Sequence, residues 1–327
     1  MIIDNRVCIA KTGRPIRIFR SSQKIISSRN SPLSTPMLYL RLLRPQQWLK
    51  NIFVLLPLFF GGALLQSPLV LRACVALASF CLMASAVYCI NDVVDAPADR
   101  LHDKKRLRPV ASGAVSTTQA LLIAGGLAIV AIALPLLIPT AGWQVAAVIG
   151  AYGMINVAYC LWIKQVAVVD VCVIAFGFVL RLLAGSVATG IVLSHWIVMM
   201  TFLLTLFMAL SKRRDDVLKY DNTGVKLRKN ITRYNLTFLN QAITITATVT
   251  LVCYVMYTVS PEVVSRTRTP YLYLTSIFVI VGLLRYIQLT VVDEKSGSPT
   301  HIVLHDVFLQ IVVLLWTLSF FLILYIL

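Results

Sequence analysis

Acidic residues are scarce in this chain. Of 327 residues only 13 are Asp or Glu, against 30 Lys or Arg, so the formal net charge is +17, and charged residues make up just 13%. That is too little charge for the surface of a soluble domain of this size. Familiar chemistry motifs are missing too. There is no P-loop, no dinucleotide glycine fingerprint and no GxSxG elbow. The seven cysteines (8, 74, 81, 89, 160, 172 and 253) form no CxxC pair. Nothing therefore indicates a zinc site or a disulfide framework, and they read as small buried hydrophobes. The four histidines (102, 195, 301 and 305) share no metal spacing. The alternation of apolar and polar residues that a β-barrel needs is absent. Despite the basic charge, no nucleic-acid-binding module is recognisable.

What is present is apolar sequence: 58% of residues are hydrophobic, and mean hydropathy is +0.83. A membrane-crossing helix needs ~20 mostly apolar residues. About nine such runs are predicted, at 47–64, 70–91, 117–138, 142–163, 166–189, 194–211, 236–260, 271–292 and 304–327. The fold class is thus all-α, a polytopic membrane protein whose short links imply antiparallel neighbours in one bundle.

With nine spans the bases sort to one side. Residues 1–36 carry seven bases and one acid, 92–116 five bases, and 211–233 eight: Lys212, Arg213, Arg214, Lys219, Lys226, Arg228, Lys229 and Arg233. Lys164 and Lys295 join them, while Arg72, Arg266 and Arg268 fall opposite. The positive-inside rule then puts the N-terminus and both long loops in the cytoplasm of a plasma membrane. Residues 1–36 have no long apolar run and are not a secretory signal peptide. They read as a disordered basic tail touching anionic lipid, ahead of a membrane domain over 37–327. Met37 is a second readable start, since it directly precedes LYLRLLRPQQW.

The most informative stretch is NDVVDAPADRLHDKKRLRP at 91–109. Asp92, Asp95 and Asp99 sit at i, i+3 and i+7, so on a helix they share one face. Three carboxylates there suit a hard divalent ion, Mg²⁺ first among them. Lys104, Lys105, Arg106 and Arg108 follow at once and suit phosphate. A solvated acidic loop is the plainer reading of the same residues. Pro97 removes a helical hydrogen bond, which sets a kink or the helix end there.

Three further groups stand out. Lys212, Arg213 and Arg214 end the sixth run and suit a phosphate site, or are ordinary cytoplasmic anchors. Asp215, Asp216 and Asp221 nearby are irregularly spaced for a second metal. In RPQQWLKN (44–51), Arg44 and Lys50 suit an anionic headgroup or a substrate phosphate, and Trp48 reads as an interfacial anchor. Asp170 lies near the cytoplasmic end of its run and reads as reaching the interface. Arg181 and Arg285 lie deeper, and each suits either a carboxylate partner, Asp306 for one, or a phosphate.

The 91–109 stretch resembles the NDxxDxxxD signature of the UbiA-type intramembrane prenyltransferase superfamily. LRPQQWLKN (43–51), RPVASG (108–113), DVCVIAFGFVLRLLAG (170–185), FMALSKRRDD (207–216) and LLRYIQL with GSPT (283–300) resemble its phosphoribosyl-transferring branch. The resemblance covers about residues 38–327. It implies a nine-helix UbiA-like bundle with a cytoplasm-facing central cavity and an Mg²⁺-dependent enzyme that moves a 5-phosphoribosyl group from phosphoribosyl diphosphate to a polyprenyl (decaprenyl) phosphate, for cell-envelope polysaccharide precursors. Asp92, Asp95 and Asp99 would hold the metal, with Asn91 adding a polar contact. Lys104, Arg106 or Arg108 would clamp the diphosphate, Lys212, Arg213 and Arg214 the ribose 5-phosphate, and Lys50 the lipid phosphate, with Arg181 a further substrate contact. The sequence departs from the prenyl-transferring members, whose second aspartate motif is replaced here by a basic loop. Two alternatives stay open: prenyl transfer from an isoprenyl diphosphate to an aromatic or other acceptor, and a lipid-phosphate transporter, for which no inverted repeat is legible. Membrane lipids are expected partners, nucleic acid is not, and association into homo-oligomers is open.

Overall fold

The computed structural model describes residues 35–327 except 102–104, 225–228, 268, 295–296, 298 and 326–327. Expectations on the 1–34 tail, His102, Lys104, Lys226, Arg228, Arg268 and Lys295 lie outside the described residues, as do the side chains of Lys229, Arg266 and His301.

The described chain is helical because its apolar runs must satisfy their own backbone groups in lipid. A short helix α1 (Thr35–Leu43) leads into a 3-10 helix (Pro45–Leu55) and α2 (Leu56–Phe60). Then come α3 (Ser67–Asp99), α4 (Thr117–Ala133), α5 (Gly142–Leu161), α6 (Val169–Thr189), α7 (His195–Thr223) and α8 (Leu236–Val259). Two turns of α9 (Pro261–Thr267) precede α10 (Ser276–Val291), α11 (Pro299–His305) and α12 (Val307–Tyr325).

Among the described residues eight helices are long and apolar enough to cross a membrane. They correspond to the last eight of the nine predicted runs. The first, 47–64, differs. Pro57 and the polar Gln47, Lys50 and Asn51 interrupt it, and it turns at Gly61 and Gly62, the latter at φ 66°. It forms 3-10 helix and one short α-turn run rather than a long α-helix.

α3 and α6 are the most buried of the long helices, and α4 and α12 the least. The first core packs α3 against α4, α5 and α6 through residues such as Phe80, Val87, Ile149 and Tyr152. The second joins α6, α7, α8 and α10 through Val171, Phe207, Leu239 and Tyr286. Phe59 and Phe60 of α2 meet Phe320 of α12 at 5.7 and 5.2 Å, so early and late elements touch. Local signals end the helices. Ser116 and Gln119 form a capping box on α4, and Gly224, at φ 68°, terminates α7.

Length places the charged ends. α3 has 33 residues and so rises about 50 Å, against about 30 Å of hydrocarbon. The 29-residue α7 is similarly overlong. The aspartates of 92–99 and the 212–221 segment therefore stand at the membrane edge. Successive antiparallel spans bring both to the same end as the start of α6. α3 runs past Pro97 and stops two residues later at Asp99.

Candidate active site

Asp92 and Asp99 are buried, at 1% and 3% exposure, and the side chain of Asp95 is about a third exposed. Burying carboxylates requires partners, and each has its own base. Arg44 donates to Asp92 Oδ1. Its backbone is left-handed, φ 51°, at the break between α1 and the 3-10 helix. An unusual conformation for a non-glycine residue thus accompanies a guanidinium that also lies over the Tyr88 ring, 5.0 Å from its centroid. Arg108 Nη1 donates to Asp99 Oδ2 at 2.5 Å and lies 3.6 Å from Asp92 Oδ1. Nearby, Arg100 Nε donates to the Ala111 carbonyl at 3.2 Å. Lys164, just after α5, donates to Asp95 at 2.5 Å. Asn91 Oδ1 accepts from Cys160 Sγ at 3.4 Å.

One oxygen is left over. Asp92 Oδ2 is buried with no hydrogen-bond partner, an unusual cost unless it serves another ligand. Three hard oxygen donors on one helix face, one of them unpartnered, fit a hard cation in kind. Among the described residues, however, no three His, Cys, Asp or Glu side chains stand close enough to share an ion.

The bases expected to bind phosphate divide. Arg108 belongs to the cluster, while Arg106 is exposed and Lys104 is not described. Lys212, Arg213 and Arg214 are not one clamp, which corrects the reading from sequence. Arg213 is fully buried, 3.1 Å from Asp170 Oδ2, and donates to Asp216. Arg214 donates to Asn240 Oδ1 at 2.9 Å and to the Thr290 carbonyl at 2.7 Å. Both tie helices together. Consecutive residues on a helix point about 100° apart, so three in a row cannot face one ligand. Lys212, the third of the run, is half-buried. A second metal on Asp215, Asp216 and Asp221 is not formed either: Asp215 accepts from Lys219, Asp216 from Arg213, and Asp221 is exposed.

Asp170 does not reach the interface. It is wholly buried and accepts from the Tyr234 hydroxyl at 2.6 Å. Burial, and the hydrogen bond it donates to the Asp170 carboxylate, push the Tyr234 phenol above its ordinary range. Arg285 does take Asp306, at 2.7 Å. Arg181 has no carboxylate among the described residues. It donates to Asn51 Oδ1 (2.8 Å), the Gly177 carbonyl (2.7 Å) and Tyr152 Oη (2.9 Å). Trp48 is fixed by donating to Ser85 Oγ at 3.0 Å.

Sequence reasoning used Lys164 only for topology and passed over Tyr88, Tyr152 and Tyr234. The one available signal for Lys164 was its place at the charged end of a predicted span.

A sequence model of the UbiA prenyltransferase family matches residues 54–309. The decaprenyl-phosphate phosphoribosyltransferase of Corynebacterium glutamicum is 35% identical over 279 residues, covering 85% of this chain and 83% of that one. That of Mycolicibacterium smegmatis is 34% identical over 287 residues, covering 85% and 89%. Among solved structures, a UbiA homolog from Archaeoglobus fulgidus bound to DMAPP and Mg²⁺ superposes with a TM-score of 0.64 at 20% identity, covering 88% of this chain and 99% of that one. The eight spans, the aspartate-bearing end of α3 and these likenesses lead to one conclusion: this chain belongs to the UbiA prenyltransferase family.

Proposed function

We propose that this protein transfers the 5-phosphoribosyl group of phosphoribosyl diphosphate to a polyprenyl phosphate, with Mg²⁺, at the cytoplasmic face of a plasma membrane. One observation carries the reading. Relatives named decaprenyl-phosphate phosphoribosyltransferase are 34–35% identical to this chain across 83–90% of their own lengths. The charged end of the bundle supports it chemically, as does the excess of bases there. The product is a lipid-linked sugar phosphate of the kind that feeds envelope polysaccharides.

Asp92, Asp95 and Asp99 would hold the divalent ion. The ion, when bound, neutralises charge on the departing diphosphate. Arg44, Arg108 and Lys164, which pair with these carboxylates, would take the charge of the same leaving group. Asn91, held by Cys160, adds a polar contact. Lys212 keeps the role expected for the ribose 5-phosphate, and Lys50 and Arg181 line the inner side. Ribose C1 becomes oxocarbenium-like as its bond to the diphosphate breaks. The acceptor phosphate oxygen attacks the opposite face and inverts that carbon. This nucleophile is already ionised, so no general base is required. That accounts for a transferase without a Ser–His or Cys–His pair. The lipid tail stays among the apolar helices.

The test is purified protein with Mg²⁺, labelled phosphoribosyl diphosphate and a polyprenyl phosphate. Labelled lipid is the expected product. No labelled lipid, with turnover of an isoprenyl diphosphate instead, would replace this reading with prenyl transfer.

A further inference from the structure

Val168, the residue just ahead of α6, has φ 69° and ψ −49°. This is close to a γ-turn geometry that is rare and strained. For a β-branched residue a positive φ is an outlier, and it persists only where the surroundings hold it. Burial of the valine itself does not hold it, because Val168 is 48% exposed.

A hydrogen bond does. The Tyr234 hydroxyl accepts from Val168 N at 2.6 Å and donates to Asp170 Oδ1 at 2.6 Å. A phenol has one proton to give. Giving it to the carboxylate leaves its lone pairs for the Val168 N–H. Asp170 is fixed in turn, since Arg213 Nε stands 3.1 Å from its second oxygen and Arg213 also holds Asp216. Tyr234 follows a 3-10 turn at Lys229–Arg233. Ile231 of that turn is 1% exposed and packs in the second core. The backbone at Val168 is thus clamped by a side chain 66 positions away that is itself anchored.

The clamped turn closes a short connector that carries a base of the aspartate cluster. After α5 the chain passes through a 3-10 turn at Ile163–Gln165. Backbone bonds then run from one end of the connector to the other. Gln165 N donates to the Trp162 carbonyl at 3.0 Å, Val166 N to that of Ile163 at 2.9 Å, and Asp170 N to that of Val166 at 3.0 Å. Lys164, inside this series, donates to Asp95 Oδ1 at 2.5 Å. A change of direction at Val168 is therefore passed to Lys164.

We infer that Tyr234 is a positioning residue for the proposed reaction: its hydroxyl holds the positive-φ turn at Val168 and thereby sets Lys164 on Asp95. Its consequence for catalysis rests on the proposed reaction, whereas the placement of Lys164 rests on the hydrogen bonds alone.

The first test needs no turnover. Detergent-solubilised full-length protein is acetylated with an N-hydroxysuccinimide ester, and peptide mass spectrometry follows the rate at Lys164. Lys219 is the internal reference, its side chain being 55% exposed against 20% for Lys164. Tyr234→Phe removes only the hydroxyl. It is expected to raise the rate at Lys164 about threefold or more, the low end of coupling between linked residues, and to leave Lys219 unchanged. In Asp95→Asn, where the ion pair is already lost, Tyr234→Phe should add little. The second test is the labelled-donor assay. KM for phosphoribosyl diphosphate should rise in Tyr234→Phe, and Tyr234→Phe should raise it no further in Lys164→Met. A tyrosine that merely stabilised the fold would act as strongly in either background. Val168→Pro, which fixes φ near about −65° and removes the donor, breaks the same turn without touching Tyr234, and it decides if Tyr234→Phe fails to fold. Unchanged acetylation of Lys164, or an undiminished effect of Tyr234→Phe in Lys164→Met, would overturn the inference. Faster acetylation in a protein unable to transfer phosphoribose would keep the placement of Lys164 and remove the proposed reaction.

Discussion

Two kinds of charged residue occupy the same end of the bundle, and single substitutions tell them apart. Asp92→Asn keeps the side-chain volume and an acceptor for Arg44 but removes the ionised oxygen that has no internal partner. Transfer is expected to fall at least a hundredfold, on the order seen when one pre-organised electrostatic group is lost, while the unfolding midpoint stays near that of the wild type. A labelled-donor assay beside a thermal melt reads both. Arg213→Met should behave in the opposite way. It leaves Asp170, which has no exposure, uncompensated, and breaking a buried pair typically costs about 3–5 kcal/mol. The melt should drop sharply. Asp170→Asn should drop it less, since Arg213 retains Asp216. Arg213 also shows where sequence stops being informative. The SKRRDD string displays its bases plainly, but nothing in it says that Asp170, 43 positions earlier, will claim one of them. Lys164 and Asp95 pair across 69 positions. Residue types at the site are legible along the chain; partners are created by packing.

At the scale of elements, long helices are easy to read and irregular ones are not. The eight spans announce themselves because each must fill the bilayer with about 20 apolar residues, and α3 and α7 exceed that length where charge begins. The stretch from Pro45 to Phe60 shares the composition of a span, yet its prolines and polar residues divert it into a long 3-10 run, a form uncommon beyond one turn. Lys50 and Asn51 are presented by that irregular element, so its seating matters. The close approach of Val54 to Gly185 supplies a test. Gly185→Ala must push the two backbones apart, an overpacking that costs about 1–3 kcal/mol. Activity should fall along with the melt, and KM for the phosphate-bearing substrates should rise because Lys50 shifts. Gly126→Ala on α4, where a Cβ meets nothing within 4 Å, should leave both unchanged.

For the molecule as a whole, the proposed reaction would make the ion pairs at one end an exchange rather than an open site. Asp92, Asp95 and Asp99 are each answered by Arg44, Arg108 or Lys164. A divalent ion at these carboxylates would compete with the bases that pair them, and chelation should abolish transfer without unfolding the protein. A lone divalent ion would have to take the carboxylates and leave three bases with nothing, two of them beside buried oxygens, which makes its binding weak. A diphosphate arriving with the ion supplies the anion those bases lose. The two ligands should accordingly bind with positive coupling, and linkage requires it to be reciprocal. Calorimetric titration of Mg²⁺ into solubilised protein should show at least about tenfold tighter binding in the presence of inorganic pyrophosphate, within the usual range of such couplings. Lys164→Met, which frees Asp95 in advance, should strengthen the binding of Mg²⁺ alone and so reduce the coupling. Equal Mg²⁺ affinity with and without pyrophosphate in the wild type would mean that the carboxylates do not trade their bases for the ion, and the exchange would have to be abandoned.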